Sequence, residues 1–193
     1  MLSALDIANF FVDISVKGKE NDITNLKLNK LVYYAQAWSF VKLGHGIFNE
    51  KVEAWDNGPV VPSVYHAFKK YGKNIIQNTE KTYKPEIFTA EEIDFLLEID
   101  ENYSKYSASE LVRQTHKIGS PWQSVYIPDV KNIEIPPEKM KEYYSDKTLQ
   151  SIKIDTSSIP EIGKRGKDGV IVLPAEEYCK EDDIYNSYLE LRG

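Results

Sequence analysis

Apolar residues recur at three- and four-residue steps in two stretches near the start of the chain. The first stretch predicts a helix over residues 4–16. The second predicts a longer helix that Thr24 caps and Gly44 closes, since glycine suits the left-handed end of a helix. Lys27 and Lys30 fall largely on the flanks of its apolar face. That face carries Leu28, Leu31, Val32, Ala35, Trp38 and Ser39.

The next segment alternates between apolar and polar positions instead of repeating at helical steps. Residues 48–55 therefore predict a short strand or an extended hairpin arm, and Asn57-Gly58 is a turn signal. Pro59 and Pro62 restrict the backbone that follows. They set the entry to a further helix over residues 63–71, because proline is pre-organised for the first helical turn.

Further helical starts are marked in the second half of the chain by capping boxes and by prolines. In a capping box the hydroxyl accepts from a backbone N–H while the carboxylate reaches back to the cap. A proline at the first helical position loses no hydrogen bond there. These starts are Thr89 with Glu92, Ser107 with Glu110, Ser120 with Pro121, and Pro136 with Pro137.

The pattern of predicted elements changes near residue 145, where the succession of helix signals ends. Residues 163–169 form a basic, glycine-rich turn, residues 170–173 an apolar strand, and residues 175–191 an acidic segment with helical spacing. We therefore expect a mainly α (α+β) protein. Its compact helical domain with a small β element spans residues 1–145. A C-terminal extension over residues 146–193 adds a short strand or hairpin and a helix.

Composition narrows the class of protein. The 193 residues carry a net charge of −6, which argues against coating nucleic acid by bulk charge. A single cysteine excludes a disulfide framework. We find no secretory leader and no apolar stretch that approaches the roughly 18 residues of a membrane span. We expect a cytoplasmic protein that needs neither membrane nor nucleic acid.

The residues that could carry chemistry form no recognisable catalytic or metal set. His45, His66 and His116 are separated by 21 and 50 positions, far from the spacing of a helical zinc site. His116 follows a predicted helix, where it is suited to capping the C-terminus. Cys179 lies among carboxylates, which disfavour an activated thiolate. We expect no catalytic residue, no cofactor and no metal, although a hydrolase built on the histidines stays an alternative.

One segment concentrates unusual residue types. Residues 53–65 hold a tryptophan, a turn glycine, two prolines and a tyrosine, and the prolines reduce the entropy of the unfolded loop. We expect a rigid corner that displays or buries Trp55. Two interpretations stay open: the corner is a contact surface, or it serves only the fold.

The same segment carries a resemblance to a known family. Residues 28–38 read Leu-Asn-Lys-Leu-Val-Tyr-Tyr-Ala-Gln-Ala-Trp, and residues 55–62 read Trp-x-x-Gly-Pro-Val-x-Pro. Ser107-Ala108, Thr115-His116 and Pro121-Trp122 continue the pattern. Over about residues 1–144 the sequence resembles the Panacea domain family, also called the SocA-like or GepA-like antitoxin domain of phage-associated proteins.

This resemblance implies a mostly helical antitoxin domain that neutralises a toxin by direct protein–protein contact. Family members sit beside diverse toxins, among them transferases related to alarmone synthetases and membrane-active peptides. The expected partner is a cognate protein toxin encoded by an adjacent gene. A phage or prophage accessory protein that binds a host target stays an alternative, and self-association into a homo-oligomer is left open.

The candidate residues fall into two groups. The family motifs contribute a group whose expected role is structural: Lys30, Tyr34, Trp38, Gly58, Pro59, Pro62, His116, Pro121 and Trp122. The corner with the helix that follows it, the tail strand and the acidic end contribute candidate contacts with a partner. These contacts are Trp55, Asp56, Tyr65, Lys69, Ile171, Leu173, Ile184 and Tyr188.

Overall fold

The computed structural model describes residues 2–17, 23–77 and 83–149, together with strand residues 164–165 and 171–172. Its helices are α1 (Ala4–Lys17), α2 (Asn25–Lys42), α3 (Pro62–Phe68), α4 (Ala90–Tyr103), α5 (Ala108–Thr115) and α6 (Pro137–Ser145), with 3-10 turns at Lys69–Tyr71 and Pro85–Ile87. Its strands are β1 (Glu53–Trp55), β2 (Gly58–Val60), β3 (Lys164–Arg165) and β4 (Ile171–Val172). This confirms the predicted fold class, a mainly helical protein with a small β element.

Helix α2 lies at the centre of the fold. Helices α1, α3, α4, α5 and α6 and strand β2 all pack against it. Its side chains are therefore buried on every side from Lys27 to Ser39. The prediction that Lys27 and Lys30 lie on the flanks of one face is wrong, because α2 has no solvent face over this length: both lysines are buried.

The polar side chains of α2 hydrogen-bond the backbone of the segment that wraps around it. Gln36 donates through Nε2 to Phe48 O at 2.9 Å and accepts from two backbone N–H groups through Oε1. Asn29 accepts from Val61 N, and Asn25 donates to Tyr65 O. Buried backbone groups must find such partners, and this segment has little secondary structure of its own to supply them.

The other side of α2 carries an aromatic cluster. The Trp38 indole donates to the Tyr103 hydroxyl at 2.7 Å, and the Tyr103 ring stacks on Tyr34 at 3.8 Å. Tyr144 of α6 closes the cluster against Trp38, with ring centroids 4.9 Å apart. Burial raises the pKa of Tyr103 to about 12, and it raises the pKa values of Tyr34 and Tyr144 as well.

The helix starts predicted at Thr24, Thr89, Ser107 and Pro137 are confirmed. Thr24 accepts from Lys27 N, and Pro137 begins α6. Both capping boxes form with their reciprocal hydrogen bonds. Ser120 caps a turn, not a full helix, by accepting from Gln123 N. These signals act within four residues, so tertiary packing does not alter them.

Of the two alternatives predicted for residues 48–55, a strand over the whole range is wrong. Only β1 is a strand, because Gln36 holds Phe48 and the Val52 carbonyl accepts from Ile135 N on a third chain segment. The turn lies one position earlier than predicted: Asp56 and Asn57 form it, and Trp55 pairs with Gly58.

In the tail, Lys164 pairs with Val172 and Arg165 pairs with Ile171, which forms the short hairpin that the sequence predicts. The turn predicted over residues 163–169 is too long, because Lys164 and Arg165 belong to β3. The helix predicted over residues 175–191 lies outside the described residues. The domain division at residue 145 stays a prediction, and the hydrophobic core extends past it to Leu149. In the described part of the chain, no helix is long and apolar enough to cross a membrane.

Candidate interaction cleft

An open cleft of about 760 Å³ lies between the start of α2, the β1–β2 hairpin and the loop over residues 129–132. The candidate contacts Trp55, Asp56, Tyr65 and Lys69 all line this cleft. The structure thus brings together four predicted residues from three different elements. Of the other candidates, Ile171 lies in β4, while Leu173, Ile184 and Tyr188 lie outside the described residues.

Side chains of residues 116–126 hydrogen-bond the β1–β2 hairpin at its turn. Trp122 Nε1 donates to Trp55 O at 2.8 Å, and His116 Nε2 lies 3.2 Å from Asp56 O. The Tyr126 hydroxyl donates to Asp56 Oδ1 at 2.9 Å, and this hydrogen bond raises the pKa of Tyr126. The turn is therefore fixed by three side chains from a segment that is about sixty positions away in sequence.

His116 connects the turn to helix α5. It is the C-cap of that helix, and its Nδ1 lies 2.7 Å from Val112 O. Its ring packs on Trp122 with centroids 3.7 Å apart, and Trp122 stacks on Tyr126 at 4.3 Å. Among the residues predicted to be structural, His116 and Trp122 thus form the support behind the corner.

Trp55 presents its ring to the cleft. Its indole Nε1 donates to Glu53 Oε2 at 2.9 Å, and its ring meets Tyr65 edge-on at 4.9 Å. Both rings are half-buried. Because the Trp55 carbonyl and indole and the Tyr65 carbonyl already have partners, the surface offered here is largely aromatic carbon.

Lysines surround the aromatic floor. Lys69, Lys73 and Lys131 line the cleft and are exposed, and none makes an ion pair with another described residue. Val130, which is 47% exposed, adds an apolar side chain on the loop side. Sequence reasoning missed Lys73 and the whole loop, because no local pattern shows that this loop lies against β1.

Lys30 lies beneath the corner. It is fully buried, its Nζ donates to Pro59 O at 2.8 Å, and burial lowers its pKa to about 7. Gly58 makes room for this side chain, because a Cβ at Gly58 would lie 3.0 Å from Lys30 Cε and 2.7 Å from Thr115 Oγ1. The corner therefore packs on α2 because the Lys30 side chain bonds the corner's backbone and Gly58 has no side chain in the way.

Gly58→Ala is expected to lower the free energy of unfolding by about 2–4 kcal/mol, from backbone strain and overpacking together. The φ angle of +99° is unfavourable for an L residue, and the new Cβ would meet Thr115 and Lys30. Gly44→Ala is the matched control, since its φ is also positive (+79°) but nothing lies within 4 Å of its Cβ. Urea unfolding of both variants measures the difference; equal losses would show that the contacts at Gly58 carry no cost.

Comparison with known proteins places this arrangement in a family. Residues 28–123 match the family described as antitoxin SocA-like, Panacea domain. A relative named Antitoxin SocA, from Caulobacter vibrioides (strain NA1000 / CB15N), is 30% identical over 135 residues that cover 64% of this chain and 70% of the relative. This chain belongs to the SocA-like Panacea family.

The family match covers only part of the cleft. The matched residues include the hairpin, α3 and the support formed by His116 and Trp122, whereas the loop at residues 129–132 lies beyond them. No solved structure matches this Panacea chain significantly.

Proposed function

We propose that this Panacea protein is an antitoxin that neutralises a protein toxin by binding it directly, with the cleft as the contact face. Family membership and the relative named Antitoxin SocA support the antitoxin role. The observation that carries the choice of surface is the convergence of Trp55, Asp56, Tyr65 and Lys69 on one cleft. Half-exposed Trp and Tyr side chains are preferred anchors of protein interfaces.

A binding role fits the positions of the three histidines better than a hydrolase does. His45 faces Gly46 O through Nδ1, His66 packs edge-on beside Tyr65, and His116 holds the hairpin turn. In the described part of the chain, no three His, Cys, Asp or Glu side chains come together in a way that could hold a metal ion. We infer a non-enzymatic role, which a metal assay on the purified full-length protein checks.

The proposed setting is the bacterial cytoplasm, where a toxin encoded by an adjacent gene would meet this protein. Co-expression of the two genes tests the proposal. We expect the neighbour alone to stop growth and the pair to grow normally. A neighbour that is harmless alone, or that stays toxic beside this protein, would contradict the proposed function and favour an accessory protein with another target.

Trp55→Ala is expected to abolish this rescue while the protein stays folded. The ring is half-buried and its indole donates to Glu53, its one hydrogen-bond partner among the described residues, so we expect the free energy of unfolding to fall by no more than about 1–2 kcal/mol. Removal of a central aromatic anchor costs an interface roughly 2 kcal/mol or more. Ile118→Ser is the matched control, because Ile118 is 95% exposed and does not line the cleft. Normal rescue by Trp55→Ala would show that the cleft is not the contact face.

A further inference from the structure

We infer that the cleft takes an extended acidic segment of its protein partner, with one aromatic or long aliphatic side chain against Trp55 and Tyr65 and carboxylates facing the lysine rim. This inference rests on the proposed function and deepens it, because it states the chemistry of the toxin segment that is bound.

The amide groups of Asn25 and Asn29, the Trp55 indole and the Tyr65 carbonyl on the cleft floor are already bonded. Asn25 donates to Tyr65 O, and Asn29 accepts from Val61 N while donating to Asn25. The Trp55 indole is bonded to Glu53. Away from the Tyr65 hydroxyl, a polar side chain placed on this floor would lose water without gaining one of these groups as a partner, whereas an apolar side chain gains by burial. The floor therefore selects a side chain such as Leu, Phe or Tyr.

The rim of the cleft carries most of its charge. Lys69, Lys73 and Lys131 have no counter-ion among the described residues, whereas Asp56, one of the two carboxylates of the cleft, is engaged by Tyr126. The other is Asp129. The hydrogen bond from Tyr126 does not neutralise Asp56, so the lining carries the formal charges of three lysines against those of two aspartates, a small excess of positive charge around the aromatic floor. Such a rim speeds the association of an acidic partner and disfavours a basic one.

The cleft is small. Its volume of about 760 Å³ is within the range of roughly 300–1,000 Å³ that is typical of pockets for drug-sized ligands. A helix is about 10–12 Å across and could lay only one face in this open cleft, whereas an extended segment can enter it with both backbone and side chain. An extended segment satisfies the shape, the apolar floor and the basic rim together.

The test compares two charge-reversed full-length variants in binding to the protein encoded by the adjacent gene, made by cell-free synthesis. The cleft variant combines Lys69→Glu, Lys73→Glu and Lys131→Glu. The control combines Lys84→Glu, Lys105→Glu and Lys141→Glu, which are exposed lysines that do not line the cleft. Both variants have the same net charge, so a difference in their Kd values reports where the reversed charges lie. We expect Kd to rise by about 100-fold or more in the cleft variant at low salt, and by less than about 3-fold in the control.

A photo-reactive residue at position 69 then identifies the bound segment by mass spectrometry. We expect it to cross-link a toxin peptide that is rich in Asp and Glu and contains an aromatic or aliphatic residue. Equal affinity of both variants, a cross-link to a basic toxin segment, or a cross-link to residues 175–191 of this chain would each overturn the inference while leaving the antitoxin function standing. If the wild type forms no complex at all, the proposed function fails and the inference fails with it.

Discussion

Trp38→Ala is expected to lower the free energy of unfolding by about 3–5 kcal/mol, the cost typical of removing a buried aromatic side chain. Trp38 is 2% exposed, contacts Tyr144 and donates its indole N–H to Tyr103. Its loss opens a cavity at the interface of α2 with α4 and α6, and leaves the Tyr103 hydroxyl without that donor. Thermal unfolding should show a fall in Tm of roughly 6–20 °C for a protein of this size.

Two comparisons separate the causes of this loss. Trp38→Phe keeps a ring in the cluster but removes the indole N–H, so we expect an intermediate loss of about 1–3 kcal/mol. Trp55→Ala removes the same kind of side chain from a half-buried position and should cost less. A fall of under about 1 kcal/mol for Trp38→Ala would contradict its place in the core.

The second large effect is a pH dependence of stability that Lys30 produces. Burial lowers the pKa of Lys30 from 10.5 to about 7 in the folded protein. In the unfolded chain the amine stays protonated up to about pH 10.5, so between these values the unfolded state binds more protons. Stability therefore rises with pH in this window, and the full cost of the buried amine is present below pH 7.

We expect the free energy of unfolding to rise by about 4 kcal/mol between pH 7 and pH 10 in the wild type relative to Lys30→Met. The buried tyrosines act in the opposite direction above about pH 10, because their pKa values are raised and the unfolded chain releases its protons first. Both proteins share this fall, so the difference between their curves isolates Lys30. Parallel curves from pH 7 to pH 10 would contradict a buried amine with a lowered pKa.

Local signals in the sequence predict much of this fold. The capping boxes at Thr89 and Ser107 and the proline at the start of α6 involve contacts within one helical turn, so the sequence pattern alone contains them. The sequence also predicts the corner around Trp55, because glycine and proline favour specific turn conformations through local backbone geometry. Family motifs added the order of these elements, but not what each side chain contacts.

The features that the sequence does not predict depend on contacts between segments that are distant along the chain. The burial of Lys30 follows from packing of helices around all of α2, whereas a periodic pattern assumes one buried face. The far wall of the cleft exists because Ala54 N donates to Ile133 O, which holds the loop over residues 129–132 beside the hairpin. No propensity encodes that pairing, so Lys131 could not be placed near Lys69 from the sequence.

The central claim is that a toxin binds at the cleft, and hydrogen–deuterium exchange on the complex tests it most directly. The full-length protein is compared alone and with the protein encoded by the adjacent gene. We expect binding to slow exchange of the amides over residues 54–73 and 129–132, which carry the hairpin, α3 and the lysine rim. Slowed exchange confined to residues 164–191, with the cleft amides unchanged, would contradict the account and assign recognition to the tail.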